Sequence, residues 1–196
     1  MILEGIVTSI DLHGTLNVAP MGPVVDEAFS HFELRPFQTS RTYQNLKQVP
    51  CGVLHVVDDV LLLARAAIGA LAEPPEHFAA EKIRGQVLSA ACRWYEFEIE
   101  ECDDSQERVS MRARVVHCGR LRDFFGFNRA KHAVLEGAIL ATRKHLLPAE
   151  EIAHDFARLR VIVQKTAGPK EQQAFELLEA YVKSAGHSKG VTESNM

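Results

Sequence analysis

The apolar residues of this chain change their spacing between about residue 118 and residue 126. Before that stretch the clearest segments have apolar residues at every second position; after it they recur at every third or fourth. A period of two suits a half-buried strand and a period of 3.6 suits a helix, so the two blocks fold into different kinds of structure. The fold class that follows is α+β, a β-barrel body with a C-terminal helical subdomain. The boundaries expected are residues 1–126 for the barrel and 127–186 for the helices, with a polar, disordered tail over 187–196.

The strand block is clearest at 93–101, where Tyr95, Phe97 and Ile99 alternate with Glu96, Glu98 and Glu100. Residues 108–116 answer it, with Val109, Met111, Ala113 and Val115 alternating with Ser110, Arg112 and Arg114. Setting Ile99 against Met111, Phe97 against Ala113 and Tyr95 against Val115 also sets Glu98 against Arg112 and Glu96 against Arg114. The expected hairpin therefore has an apolar face and a solvated face of cross-strand ion pairs. Residues 2–10 and 15–20 predict an antiparallel pair around a turn at Asp11-Leu12-His13-Gly14. A strand at 31–36 buries Phe32 and Leu34, and the nearly continuous apolar run 51–57 predicts a strand buried on both faces. Helices are expected at 40–47 and at 60–68, the second closed by Gly69.

In the second block, Ala130, Val134, Leu135, Ala138, Ile139, Ala141 and Leu146 predict a helix from Asn128 to Leu147, ended by Pro148. Ile152, Phe156, Leu159 and Val163 mark a second helix with Glu150 and Glu151 in its first turn. Gly168-Pro169 opens a third, carrying Phe175, Leu178, Tyr181 and Val182 and closed by Gly186. Arg129, His132, Glu136 and Arg143 form a polar stripe on the first of these helices, read either as a substrate-side wall or dimer contact, or as a solvated face with a His132–Glu136 pair.

The net charge of −4 and pI near 6.1 argue against a nucleic-acid partner, whose binders carry a basic face. No apolar run approaches the roughly 20 residues of a membrane helix, and the N-terminus lacks the charge and cleavage site of a signal peptide. The four cysteines contain no Cys-x-x-Cys pair, which suits a cytoplasmic protein with reduced thiols, and the nine histidines show no metal-ligand spacing.

Two short segments carry the chemistry. Asn17-Val18-Ala19-Pro20-Met21-Gly22 holds a proline without an N–H and a flexible glycine, so it is expected to be irregular backbone at a strand end. A flat ring could lie there, with Asn17 hydrogen bonding to it, Met21 offering a polarizable contact and Gly22 permitting close approach. Thr39, Ser40, Arg41, Thr42 and Asn45 cluster at a helix start, where free N–H groups and the macrodipole attract a phosphate. Taken alone, the first segment reads equally as a bulged strand end and the second as an ordinary capped helix with Arg41 in solvent. Taken together they suggest a site for flavin mononucleotide (FMN).

The pair resembles the Asn-x-Ala-Pro-like and Lys-Asp-Thr-x-x-Asn-like segments of flavin-reductase-like FMN-binding split barrels, with Arg41-Thr42-Tyr43 standing where those have Lys-Asp-Thr. More closely, the chain is similar to the uncharacterised split-barrel family called domain of unknown function four-four-seven. That resemblance extends through Met21-Gly22-Pro23, Pro36-Phe37 and the helix opening Phe127-Asn128-Arg129-Ala130. It implies a split barrel that forms a homodimer with FMN near the subunit boundary. Asn17, Met21 and Gly22 would then lie on the ring side, with Thr39, Ser40, Arg41, Thr42 and Asn45 on the phosphate side. It further implies an FMN-dependent oxidoreductase or a non-catalytic flavin- or pterin-binding module. The closer family's association with tetrahydromethanopterin-linked one-carbon metabolism points to a pathway. No catalytic acid, base or nucleophile, and no substrate, is implied.

Overall fold

The computed structural model describes residues 1–184. The expected closure at Gly186 and the expected tail at 187–196 lie outside the described residues. In chain order the elements are β1 (Gly5–Ile10), β2 (Leu16–Met21), β3 (Val24–Val25), β4 (His31–Leu34), α1 (Arg41–Gln48), β5 (Cys51–Val56), α2 (Val60–Ala67), β6 (His77–Ala79), β7 (Gln86–Leu88), β8 (Arg93–Asp103), β9 (Ser110–Arg120), α3 (Arg129–Thr142), α4 (Ala149–Thr166) and α5 (Pro169–Ser184). The chain forms two compact units, one of residues 1–59 and 71–125 and one of residues 60–70 and 126 onward.

The first unit is a curled seven-stranded sheet in the order β2-β1-β5-β8-β9-β4-β3, with β6 and β7 pairing separately. Its first turn forms because Asp11 folds back on it. The Asp11 Oδ1 accepts from the N–H of His13 at 2.9 Å and of Thr15 at 2.8 Å, and Gly14 adopts φ +86°. The Thr15 N–H, with other local contacts, holds the Asp11 carboxyl below the usual range against an opposing desolvation effect. The Asn17–Met21 stretch is more regular than expected. It pairs with β1 without a bulge, from Ser9 opposite Asn17 to Gly5 opposite Met21. Its position explains this, because β2 lies at a sheet edge, where a proline leaves no central ladder broken.

The core of this unit gathers Val7, Leu34, Leu46, Leu54, Phe97 and Met111, all at most 1% exposed. Phe97 meets Phe32 edge-on at 5.1 Å between ring centroids. Gly52 makes room for it, since a Cβ there would lie 2.8 Å from the Phe97 ring and 2.7 Å from the Thr8 carbonyl oxygen.

The hairpin β8–β9 forms with the expected faces but another register. Ile99 stands opposite Ala113, Phe97 opposite Val115 and Glu98 opposite Arg114. Irregularities between Glu96 and Phe97 and between Ile99 and Glu101 divide the ladder. Between the two irregularities the register is displaced by two residues from the expected one, and outside them, as at Tyr95 opposite Cys118 and Glu96 opposite His117, by three. Cross-strand ion pairs do form, Arg114 reaching Glu98 at 2.9 Å and Glu100 at 3.0 Å. Glu96 departs from that pattern and is fully buried.

In the second unit, Asn128 caps α3 by accepting from the Lys131 N–H at 3.1 Å. Ala130, Ala133, Val134, Ala138 and Ala141 form its buried stripe. α3 ends at Thr142, five residues short of the expected Leu147. Tight turns follow, with Arg143 N–H donating to the Leu140 carbonyl and Leu146 N–H to that of Arg143, and Leu146 is exposed. Pro148 therefore opens α4 as its N-cap instead of closing α3. α2, counted within 1–126 by the sequence reading, lies against α3 and α5 in this unit. No helix among the described residues is long and apolar enough to cross a membrane.

Candidate functional site

The first strand pair and α1 bring the two chemistry-bearing segments together. Antiparallel pairing sets Ser9 of β1 beside Asn17 of β2, and α1 lies along both strands. Thr42 and Asn45, three residues apart, share the buried face of α1. Asn17 Nδ2 donates to Thr42 Oγ1 at 3.1 Å and to Ser9 Oγ at 3.3 Å, and Asn45 Nδ2 donates to the same Ser9 oxygen at 3.2 Å. Ser9, Thr42 and Asn45 are each at most 3% exposed. Buried polar groups at this depth are stable because they satisfy one another, and the cluster fixes Asn17 relative to the start of α1.

The start of α1 leaves part of its donor set without partners among the described residues. Ser40 is fully used as the N-cap: its Oγ accepts from the Tyr43 N–H at 3.2 Å and donates to the Phe37 carbonyl at 2.7 Å. The first-turn amides of Arg41 and Thr42 have no partner among the described residues, and Arg41 is exposed without an ion pair among them. Thr39 is exposed beside them. The other cations nearby in sequence are engaged. Lys47 Nζ donates to Asp104 Oδ2 at 2.7 Å and to the Tyr43 hydroxyl at 2.8 Å, and Arg35 pairs with Glu33 at 3.4 Å. The Asp104 and Tyr43 contacts raise the Lys47 pKa, and Lys47 in turn is the main cause holding the Asp104 carboxyl below its usual range. Of the two cations of this helix, Arg41 is the one without an ion pair among the described residues.

Asn17, Thr42 and Asn45 are joined directly, with Ser40 and Arg41 at the adjoining helix start. Met21 and Gly22 have other neighbours. Met21 packs against the barrel core. Gly22 lies under the N-terminal segment, where a Cβ would come 2.9 Å from Glu4 Oε1 and from Ile2 Cγ2. In the second unit, Arg129, His132 and Glu136 line a groove with Phe127, Ala133, Leu159 and Ile162, whereas Arg143 sits at the C-cap of α3. The expected His132–Glu136 pair does not form among the described residues, and His132 instead lies 6.0 Å from the Phe127 ring.

Three features escaped the sequence reading. Ser9 holds both asparagines, yet its own segment shows only a strand pattern. His55, within the apolar run of β5, is fully buried with Nδ1 at 3.0 Å from the Ile6 carbonyl and Nε2 accepting the Leu88 N–H at 3.0 Å. Those partners require the neutral ring protonated on Nδ1, and burial pushes its pKa down to about 4. Glu96 accepts from the backbone N–H of Glu81 at 2.8 Å and of Lys82 at 2.7 Å, and from the Trp94 indole at 3.3 Å. It ties the 80–82 segment, beside β6, onto β8.

The family model described as "Protein of unknown function (DUF447) N-terminal domain" matches residues 3–122, and the one described as "Protein of unknown function (DUF447)" matches residues 128–180. No curated protein matches the chain. Among solved structures, an FMN-bound DUF447 protein from Methanosarcina mazei is 24% identical with a TM-score of 0.79, over 92% of this chain and 94% of that one. An FMN-binding protein from Thermus thermophilus with bound p-hydroxybenzaldehyde is 16% identical with a TM-score of 0.52, over 64% of this chain and 75% of that one. Nitrilotriacetate monooxygenase component B from Bacillus cereus is 20% identical with a TM-score of 0.51, over 61% and 69%. These similarities establish the fold as that of flavin-binding split barrels, and the two family matches, spanning the barrel and the helices, show that this chain belongs to the DUF447 family.

Proposed function

We propose that this protein is an FMN-binding flavoprotein, a homodimer in solution, that passes electrons between a donor and a small-molecule acceptor. The observation that carries the reading is the buried Ser9–Asn17–Thr42–Asn45 cluster set against Arg41 at the start of α1, which has no ion pair among the described residues. The donor set suits a phosphomonoester: two free amides, a guanidinium capable of a bidentate charge-assisted pair, and the Thr39 hydroxyl. The M. mazei relative, alike over nearly its whole length, is an FMN-bound protein, which supports the same cofactor here. Arg41, Thr39 and Thr42 would hold the phosphate, Asn45 would brace that end of the site, and Asn17 would face the ring side. Met21 and Gly22 would contribute through the backbone of β2, since the side chain of Met21 packs on the core.

When bound, FMN supplies the redox chemistry, and the chain supplies position and electrostatics. A cytoplasmic location belongs to the same reading and is supported by four unpaired cysteines. The second reading, a non-catalytic flavin- or pterin-binding module serving one-carbon metabolism, is favoured by the absence of an acid, base or nucleophile from the described cluster. Bleaching of the bound flavin by NAD(P)H under anaerobic conditions identifies the oxidoreductase; a flavin that stays oxidised identifies the module.

Arg41→Ala is expected to weaken FMN binding at least tenfold, because a charge-assisted contact contributes about 1.5–3 kcal/mol. Arg41 is exposed, so its thermal midpoint should stay near that of the parent. Fluorescence-quenching titration checks this. Unchanged affinity would move the phosphate away from α1.

A further inference from the structure

We propose that the exposed face of α3 carrying Arg129, His132 and Glu136 is a self-pairing surface that docks antiparallel onto the same face of a second copy of this chain. The inference rests on the homodimer of the preceding reading and adds the surface that builds part of it. It does not depend on flavin.

The face is an apolar groove with a charge at either end. Phe127, Ala133, Leu159 and Ile162 form the apolar lining of a cavity of about 300 Å³. Phe127 is 95% exposed, an unusual state for a phenylalanine bordering a groove. Arg129 and Glu136 are seven residues apart, two helical turns, and so point the same way about 10.5 Å apart along the axis. Neither makes an ion pair or side-chain hydrogen bond among the described residues. Other charges of this unit are paired within the chain, Lys131 with Glu171 at 2.9 Å and Arg160 with Glu179 at 2.5 Å.

The order of the charges decides the occupant. A two-fold interface uses one patch twice, so the patch must complement itself after a half-turn. A two-fold axis crossing α3 between His132 and Ala133 places residue 129 of one copy against residue 136 of the other, twice. Each Arg129 then meets the partner's Glu136, and the apolar linings face each other between the two ion pairs. Two like charges at 129 and 136 would repel in this arrangement. The apolar centre contributes affinity, and the charge pairs at its ends set orientation and partner choice.

The test is a charge exchange. Sedimentation velocity over a dilution series is run on the unmodified protein, on Arg129→Glu, on Glu136→Arg, and on the double variant. Each single variant places like charges opposite each other twice, and its dimer dissociation constant is expected to rise at least about tenfold. The double variant restores opposite charges and is expected to return to within about threefold of the unmodified protein. Both positions are exposed, and circular dichroism confirms that each variant is folded. A dimer whose dissociation constant is the same in all four proteins would overturn this surface while leaving the homodimer standing. A double variant as weak as the two singles combined would also overturn it. A monomer at every concentration would overturn both the surface and the homodimer, with FMN absorbance still reporting separately on the cofactor.

Discussion

Phe97→Ala is expected to destabilise the protein by about 3–5 kcal/mol, the range for removing a fully buried phenylalanine and leaving a cavity. Phe97 is 0% exposed and sits mid-strand in β8, between Gly52 of β5 on one side and Val115 of β9 on the other. Its ring also meets Phe32 of β4, so one side chain touches elements distant in sequence. The surrounding strands are held by ladders on both sides and cannot collapse into the space, which places the loss towards the upper part of the range. Urea denaturation measures it as a lower midpoint at unchanged slope. Glu98→Gln, on the exposed face of the same strand, is the control and should change stability by less than about 1 kcal/mol. A loss in Phe97→Ala no larger than that of the control would contradict the core described here.

Acid is expected to remove about 3 kcal/mol of stability through His55 alone. The folded protein holds this imidazole neutral, with a pKa of about 4, against an ordinary 6.5 in the unfolded chain. The unfolded state therefore binds the proton first as the pH falls. The contribution of His55 is complete above pH 6.5, declines between 6.5 and 4, and changes no further below 4. Protonation also ends the acceptance by Nε2 of the Leu88 N–H, the bond that joins β5 to β7. The carboxylates of Asp11, Asp26 and Asp104, held low by local hydrogen bonds, act in a separate window below about pH 3.8. Unfolding free energies are measured between pH 7 and 4 for the parent and for His55→Asn. The variant starts less stable and should lack the His55 share of the slope. Parallel curves would show that the histidine titrates normally in the fold.

The faces of β8 and β9 are legible in the sequence because alternation is a local property of each strand. Their register is not, because the irregularities at Glu96/Phe97 and Ile99/Glu101 leave no trace in the period. Glu96 shows the same limit. It alternates like Glu98 and Glu100, but Val87 and Trp94 pack with Val53 on that side, and the Glu81 and Lys82 amides cover its carboxylate. β6 and β7 are three residues each, too short for a periodic signal. In the candidate site, Asn17, Thr42 and Asn45 stand out by residue type and spacing, and the fold joins them. Ser9, which joins them, lies in a strand whose pattern reports only burial. The regularity of β2 through Pro20 depends on the strand lying at an edge, a fact of sheet order. α3 ends early for a comparable reason: its apolar period runs on to Leu146, but the chain leaves the helix at Arg143 and begins again at Pro148.

The central claim, a phosphate-anchored flavin at the start of α1, is tested most directly by titrating the flavin-free protein with FMN and with riboflavin. The two ligands share the ring and differ in the phosphate. FMN is expected to bind at least tenfold more tightly, since in the proposed site the first-turn amides and Arg41 would engage only the phosphate. Equal affinity for FMN and riboflavin would contradict the proposal, because a phosphate held at the Arg41 end of α1 would then contribute nothing.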